Sequence, residues 1–505
     1  MLRNFLLSFF LMSLLVLTGC NLEGKVVTYD GNVLEGVTVS LAGDATAEVA
    51  TNNDGVYLFE ELKSGNYIVT PKLDGFRFTP SSVSVEITEA DVSGIDFEAQ
   101  PENVLRVPQD YSTIQAAVDA AVDNDTVVIS DGTYTSTENV KILAEKRITI
   151  RSVNGPEKTI IDCQGNGIGI VVNNGVTISG LTVTNASRGG IRGNGTSTIE
   201  NCIIKNNYGE RHGGGLAFEY GSPRIENCRI EENSSLSGGG GISFSYGAPE
   251  LINCLIINNT SQGYGGGITS GHSDVKISGG EIRLNRSEGD GGGAELSYGD
   301  CELSNVLIAN NESATRGGGL ARLYGSLLME NCKIRSNQAK SYGGGAEIGY
   351  GTQRIVNTLV DGNIAKDKGS GLSFIYSNPV ILNCTIAHNT STEYTDASGV
   401  WIRGSSTTTC EIANCIVQGN RGVQMDITNP GNLSVSYSNV GQDGIAGEGN
   451  INMYPSFTDG LYHLNANSPC VDSGKDTAVA TDLDGVLRPQ GNGFDMGAYE
   501  YVPIE

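Results

Sequence analysis

The sequence predicts an all-β chain: a parallel β-helix solenoid of about 12 coils, preceded by a small β-sandwich. Three observations predict it. A triple-glycine corner begins at Gly213, Gly239, Gly265, Gly291, Gly317 and Gly343 and returns as Gly-Ser-Gly at Gly369, each step being 26 residues. Asparagine keeps the same beat at Asn207, Asn233, Asn259, Asn285, Asn311, Asn337, Asn363 and Asn389. Between these markers lie three short runs with apolar residues at alternate positions. A propeller blade needs roughly 40 residues in four strands, so a 26-residue unit with three strands fits one coil of a β-helix instead.

Composition bounds the reading. The chain has 505 residues with 69 Gly, 13 Pro and 38% hydrophobic residues, which describes a folded, glycine-rich β protein rather than a collagenous or disordered one. A formal net charge of −25 excludes the basic footprint of a nucleic-acid binder. It also repels polyanionic polysaccharide unless a local basic patch or bound Ca²⁺ intervenes.

Residues 1–19 read as a leader. Arg3 supplies a positive start, Phe5 to Leu17 is apolar, and the segment closes on Leu17-Thr18-Gly19-Cys20. That ending resembles a bacterial lipobox, which implies cleavage before Cys20 and a lipid on its thiol. The mature protein would then be anchored to a membrane, at the cell surface or outer membrane, rather than span it.

Residues 20–100 carry short alternating runs (Lys25–Tyr29, Val37–Leu41, Val56–Phe59, Tyr67–Pro71, Val83–Ile87) between Asp-Gly and Ser-Gly turns, the pattern of a small sandwich. The stretch TNNDGVYLFEELKSGNYIV, followed by DGFRFTPSSVSVEI, is similar to the carboxypeptidase-regulatory-like family. That resemblance implies a spacer or stalk.

Residues 101–455 form the solenoid. Ser112 to Val122 is the one convincing helix: Ser112 and Gln115 make a capping box, and Ile114, Ala117, Val118, Ala121 and Val122 share a face. Its expected role is to cover the open first coil. The string YSTIQAAVDAAVDNDTVVISDGTY resembles the cap and first strand of pectin-lyase-like right-handed parallel β-helices. Early coils (Arg147–Ser152, Thr159–Asp162, Ile168–Val172, Val176–Thr184) are irregular, and the ladder follows. In the coil from Gly213, the spacing predicts Leu216, Phe218 and Tyr220 inward on strand one, Ile225 on strand two, a corner at Asn227, and Cys228 and Ile230 inward on strand three.

The repeated columns read as scaffold. Stacked asparagines satisfy one another's amides, glycines allow a sharp corner, and the tyrosines Tyr220, Tyr246, Tyr298, Tyr324, Tyr350 and Tyr376, with His272, stack as rings. Cys202, Cys228 and Cys254 share one repeat position and read as small column-fillers rather than disulfide partners. Pairing among Cys163, Cys301, Cys410, Cys415 and Cys470 stays open.

Function belongs where the repeat is broken. The residue before each glycine corner runs His212, Gly238, Tyr264, Asp290, Arg316, Tyr342, Lys368. The outward column of strand one runs Ala217, Ser243, Thr269, Glu295, Ala321, Glu347, Ser373. Beyond Asn389 the spacing slips to 28, aligning Trp401 with Ser373 and Arg403 with Ile375. Trp401 beside Arg403 is the candidate ligand platform, facing solvent for sugar stacking; the alternative is a Trp401 covered by the loop Thr390–Ser398. Glu295 and Glu347, two coils apart, are the candidate catalytic carboxylates, at a separation compatible with an inverting pair. No metal site is read, Ca²⁺ entering only if the chain is a lyase. Arg322 sits on an inward beat and is expected to distort its coil.

Residues 456–505 contain Asp482-Leu-Asp484-Gly485, Arg488-Pro489 and Asp495-Met-Gly497-Ala498-Tyr499-Glu500, which resemble the choice-of-anchor Q segment of bacterial surface β-helix proteins. This tail is expected to cap the last coil. In that family a sorting signal commonly follows, and its absence before Glu505 fits anchoring through Cys20. The Asn and Gly-Gly-Gly motifs also resemble repeats of polymorphic outer-membrane adhesins. The expected function is a lipid-anchored surface protein that binds carbohydrate or a surface glycan as an adhesin; the alternative is a polysaccharide lyase or glycoside hydrolase.

Overall fold

The computed structural model describes residues 19–503 except 29–30, 89, 102–103, 137–140 and 394–396. The leader, apart from Gly19, lies outside the described residues. Among those described, no helix is long and apolar enough to cross a membrane. The chain divides into two units, residues 1–103 and 104–505.

The first unit is a sandwich of two four-stranded sheets. One holds Val56–Leu62, Cys20–Thr28, Phe97–Pro101 and Phe76–Thr79; the other holds Ala47–Ala50, Thr38–Gly43, Gly65–Lys72 and Val83–Ile87. Alternation places Val39, Leu41, Tyr57, Phe59, Tyr67 and Val69 in one core. The Cys20 side chain is half-buried at the start of the first strand, which pairs with Val56–Leu62.

The second unit is the solenoid, and its four strand rows are defined by the coil from Gly213. Row one is Leu216–Glu219, row two Arg224–Glu226 and row three Arg229–Glu231. A fourth, two-residue strand, Ser234–Ser235, adds a row that the three-strand reading lacks. Row three is a 13-stranded sheet and row four an eight-stranded one, every pairing parallel. Row-one strands pair in register, Leu216 with Ile242 with Ile268, until Leu372 meets Val400 at the slip of 28. The inward columns hold as expected: Leu216, Ile242, Ile268, Ala294, Leu320, Ala346 and Leu372 are fully buried, as is the column from Ile230 to Ile386. All 11 cysteines are free, and Cys228 donates its thiol to the Ile199 carbonyl at 3.4 Å.

Two kinds of asparagine hold the corners. From Asn233 to Asn363 each ladder asparagine accepts twice and donates twice through its amide: Asn259 Oδ1 accepts from the N–H and Nδ2 of Asn233, both at 3.0 Å, while Asn259 Nδ2 donates to Asn285 Oδ1 at 3.0 Å and to the Ile230 carbonyl at 2.9 Å. Every polar group of that amide is satisfied without water. The left-handed backbone belongs to the other column, Asn201, Asn227, Asn253, Asn331 and Asn383, with φ between 50° and 54°. At the glycine corner, a Cβ added to Gly214 would stand 2.2 Å from the Ser234 carbonyl oxygen, so that position must be glycine.

Four expectations change. The tyrosine column is not inward: Tyr220 to Tyr376 adopt φ between 50° and 61°, which turns the side chain out of the strand's alternation, and Tyr220 is 71% exposed. The rings do stack, with centroids 4.6 Å apart for Tyr324 and Tyr350. The helix is shorter, Ile114–Ala120, and its cap is Thr113, whose hydroxyl accepts from the Ala116 N–H at 3.2 Å. Gln115 instead accepts from the Leu143 N–H, and Val122, past the helix end, is exposed. Arg322 does not distort its coil, since Leu296, Arg322 and Ile348 pair in register. Its fully buried guanidinium donates to the carbonyls of Leu296, Leu323, Tyr324, Gly299 and Ser326, a set of acceptors that compensates the buried charge.

The tail differs most. Rather than cap the last coil, it runs back along the side of the solenoid. Asn357 Nδ2 donates to the Thr481 carbonyl, Thr477 donates to Asn383, and the Lys475 N–H donates to Asn414 at 2.9 Å. Ala498 and Tyr499 bury against Leu359 and Ala387. The buried pair Arg488 and Glu500, 2.6 Å apart and fully enclosed, ties its loops together. The chain just past row three closes the end of the main core instead, with Ile445 packed against it.

Candidate functional site

The two columns that break the repeat meet on one face. Outward positions of row one stack as Arg192, Ala217, Ser243, Thr269, Glu295, Ala321, Glu347, Ser373, Trp401 and Asp426. The left-handed glycine corner folds the residue before it over this column, one coil further on. Arg316 thus reaches Glu347, 31 residues later, with Nη1 3.2 Å from Oε1. At the same offset, a Cβ on Gly238 would stand 3.0 Å from Thr269 Cγ2.

In the centre of the face, Arg316 bridges two acids. Its Nη2 lies 2.7 Å from Asp290 Oδ2, its Nε 3.2 Å from Asp290 Oδ1, and its other arm holds Glu347. Glu347 is 2% exposed, and burial pushes its pKa up to about 7 against the pull of Arg316. Its Oε2 has no hydrogen-bond partner among the described residues. Glu295 is half-buried and raised by burial, while hydroxyls of Ser297 and, at 2.8 Å, Thr269 hold its charge. Both acids therefore share the predicted face, yet neither is solvated. Two strand spacings, about 10 Å, separate their backbones, with Ala321 between.

Further along, the structure corrects the exposure of Trp401. The indole is 7% exposed, stacked under the Tyr342 ring at 5.2 Å and 21°, with Lys368 Nζ 5.7 Å from its centroid. Lys368 in turn pairs with Asp426 at 2.8 Å. Part of the loop Thr390–Ser398 lies outside the described residues; the described cover comes from the column before the glycine corners. Arg403 is exposed and does not touch the indole face, its guanidinium lying 5.4 Å over the Tyr376 ring at the end of the aromatic stack.

Sequence reasoning missed the other end of the face. A cavity of about 370 Å³ is lined by Arg192, Arg211, His212, Glu219, Tyr220 and Tyr246, among others. Tyr220 is the first ring of the stack, with Tyr246 against it. Burial and the neighbouring arginines push His212 down, which leaves it neutral, and among the described residues Arg211 has no ion pair. This is a local basic patch in an acidic chain. Arg192 lies in an irregular early coil, out of phase with the 26-residue count, so the repeat could not align it with Ala217. Among the described residues, no three His, Cys, Asp or Glu side chains come together to hold a metal ion.

Comparison with known proteins matches residues 21–100 to the carboxypeptidase regulatory-like domain and residues 122–282 and 278–440 to the right handed beta helix region. No curated protein sequence matches the chain. Among solved structures, a pectate lyase is similar at 14% identity over 79% of this chain and 96% of its own, with a TM-score of 0.34. The catalytic unit of a thermostable α-1,3-glucanase from Streptomyces thermodiastaticus is similar at 12% identity over 85% of each chain, with a TM-score of 0.45. A streptococcal ancillary pilin is matched over 35% of its own length and 17% of this chain, at 19% identity and a TM-score of 0.15.

Proposed function

The chain belongs to the right-handed β-helix family, and from that premise we propose that it binds an extended carbohydrate along the outward face of row one. The observation that carries the reading is the meeting of two irregular columns on this face, where the residues before the glycine corners fold over the outward column of row one. In the inward, asparagine and aromatic columns residues repeat because each one's partner is its own copy one coil away. Here the residues vary from rung to rung, as they must to meet a ligand whose groups differ along its length. From Arg192 to Asp426 the face spans nine strand spacings, about 40 Å, room for several sugar rings in line. Aromatic rings, arginines and carboxylates along it are the groups that stack on and hydrogen-bond to sugars.

The test is a panel of neutral and acidic polysaccharides assayed for binding and for depolymerisation, with and without Ca²⁺. Arg211→Ala and Tyr220→Ala are expected to weaken binding about 10-fold, the loss of one charge-assisted contact or one stacking ring. Absence of binding to every member of the panel would overturn the proposal. A hydrolase reading is favoured by one observation, the Glu347 carboxyl held near neutral pH at about 7. Release of reducing ends, abolished in Glu347→Gln, would decide for it.

The carbohydrate reading includes a location. The leader is removed, Cys20 carries lipid, and the sandwich serves as a stalk above the membrane, an arrangement suited to an adhesin. Intact-mass measurement of the membrane fraction checks this: a mature chain starting at Cys20 with added acyl mass is expected, and Cys20→Ser should release the protein in soluble form.

A further inference from the structure

Three adjacent rungs of the outward column, Glu347, Ser373 and Trp401, are buried at 2%, 0% and 7% exposure. Each carries a polar atom without a partner among the described residues: Glu347 Oε2, Ser373 Oγ and Trp401 Nε1. Buried polar groups are nearly always paired, so three orphans in a row need a physical reason. Their cover is equally particular. Arg316, Tyr342 and Lys368 come from successive coils at the position before the glycine corner, where earlier coils have Gly238, Tyr264 and Asp290. Arg316 is tethered to Asp290 at 2.7 Å and Lys368 to Asp426 at 2.8 Å, while Tyr342 rests its ring on Trp401. All three are long side chains that leave by rotation about their own bonds, with no backbone change.

We propose that this strip is a closed subsite for a neutral pyranose, with Tyr342 holding the place of the sugar ring on Trp401. The inference rests on the reading of this face as a carbohydrate surface. An indole face accepts the C–H face of a pyranose as it accepts the Tyr342 ring. Trp401 Nε1 donates, Ser373 Oγ donates or accepts, and Glu347 Oε2 accepts, which is the complement of a sugar's hydroxyls. Three rungs span about 10 Å, the room for one ring and its linkage. The ligand is neutral because Arg316 and Lys368 are already engaged by Asp290, Glu347 and Asp426, which leaves no unpaired cation among the described residues of the strip for an anionic sugar. Closure lowers the apparent affinity by the fraction of molecules that are open.

The chain contains 1 Trp, so emission excited on the red edge of the indole band, where tyrosine does not absorb, reports on this strip alone. The experiment titrates the full chain, Tyr342→Ala and Lys368→Met with neutral linear hexasaccharides of glucose, mannose and galactose and with uronic hexasaccharides, reading emission and calorimetric heat together. Tyr342→Ala is expected to shift the emission to longer wavelength and to bind a neutral hexasaccharide about 10-fold more tightly than the parent, the sugar reversing the shift. Lys368→Met, which keeps the bulk but loses the Asp426 tether, should change affinity in the same direction by less, and serves if Tyr342→Ala fails to fold. Neutral sugars that bind by calorimetry yet leave the emission unchanged in both variants would overturn the subsite and leave the carbohydrate face standing. Response to uronic sugars alone would overturn the ligand class. No heat from any sugar with any of the three proteins would sink both readings.

Discussion

The asparagine ladder and the outward column of row one run side by side through the same coils, and they are opposites. In the ladder each residue is identical and each amide is fully satisfied, Asn285 lying between Asn259 and Asn311 at 3.0 Å on either side. In the outward column each residue differs from its neighbours, and three buried ones leave a polar atom unpartnered among the described residues. The ladder is buried throughout and the outward column in part, and since Ser243, Ala321, Glu347, Ser373 and Trp401 are buried as the asparagines are, burial alone does not separate them. What separates them is whether a residue finds its partner in its own copy. A self-stacking column must repeat. A column serving something other than itself is free to vary, and retains groups the fold does not satisfy.

Substitutions can sharpen or break that contrast. The largest effect is expected in the ladder: Asn285→Leu leaves the Asn259 N–H and one of its two amide hydrogens without an acceptor and takes one donor each from the Ile256 carbonyl and Asn311 Oδ1, a loss of about 4 kcal/mol in guanidinium unfolding followed by circular dichroism. A loss no larger than for an exposed residue would break the comparison. Arg322 tests an irregular residue whose two terminal nitrogens are satisfied, its Nε lacking a partner among the described residues. Arg322→Ala removes the donor shared by five carbonyls and opens a cavity, and should cost about 3 kcal/mol by the same measurement. A neutral result would show that the carbonyl set is not what tolerates the buried charge.

Glu347 tests an irregular residue that is not satisfied. Its folded pKa of about 7 lies above the ordinary carboxyl value near 4.3, so between these values the native state keeps a proton that the unfolded chain releases. Its contribution to stability is therefore complete at low pH and falls as pH rises through that window, by about 3 kcal/mol. Asp495, raised by burial to about 7 in the tail, titrates with the same sign. The readout is therefore the difference between the parent and Glu347→Gln: the variant's stability should decline less from pH 4.5 to 7. The smallest effect belongs to the exposed repeat. Tyr298→Ala removes stacking on His272 and Tyr324, both at 4.8 Å, and should cost about 1 kcal/mol.

Periodicity alone located the inward columns at Leu216 and Ile230, the mutual pairing of the ladder asparagines, and the slip that sets Trp401 against Ser373. These follow from a local rule: in a strand, alternate side chains face the core, and in a solenoid equal positions stack. The same rule misplaced Tyr220, because alternation was carried one residue past the strand, into a corner whose positive φ reverses the side chain. Where two irregular columns would meet was not legible, since Arg316 reaches Glu347, and Tyr342 reaches Trp401, only through the corner's three-dimensional path. The tail's course was hidden for a similar reason: its contacts join residues as far apart as Asn357 and Thr481. The sequence by itself determined the repeat, the core and the scaffold, because each of those is a residue meeting its own neighbour or its own copy. The tertiary structure alone decided what covers Trp401, what neutralises Arg322 and where the tail lies, because each is a meeting of unlike residues, and no period encodes it.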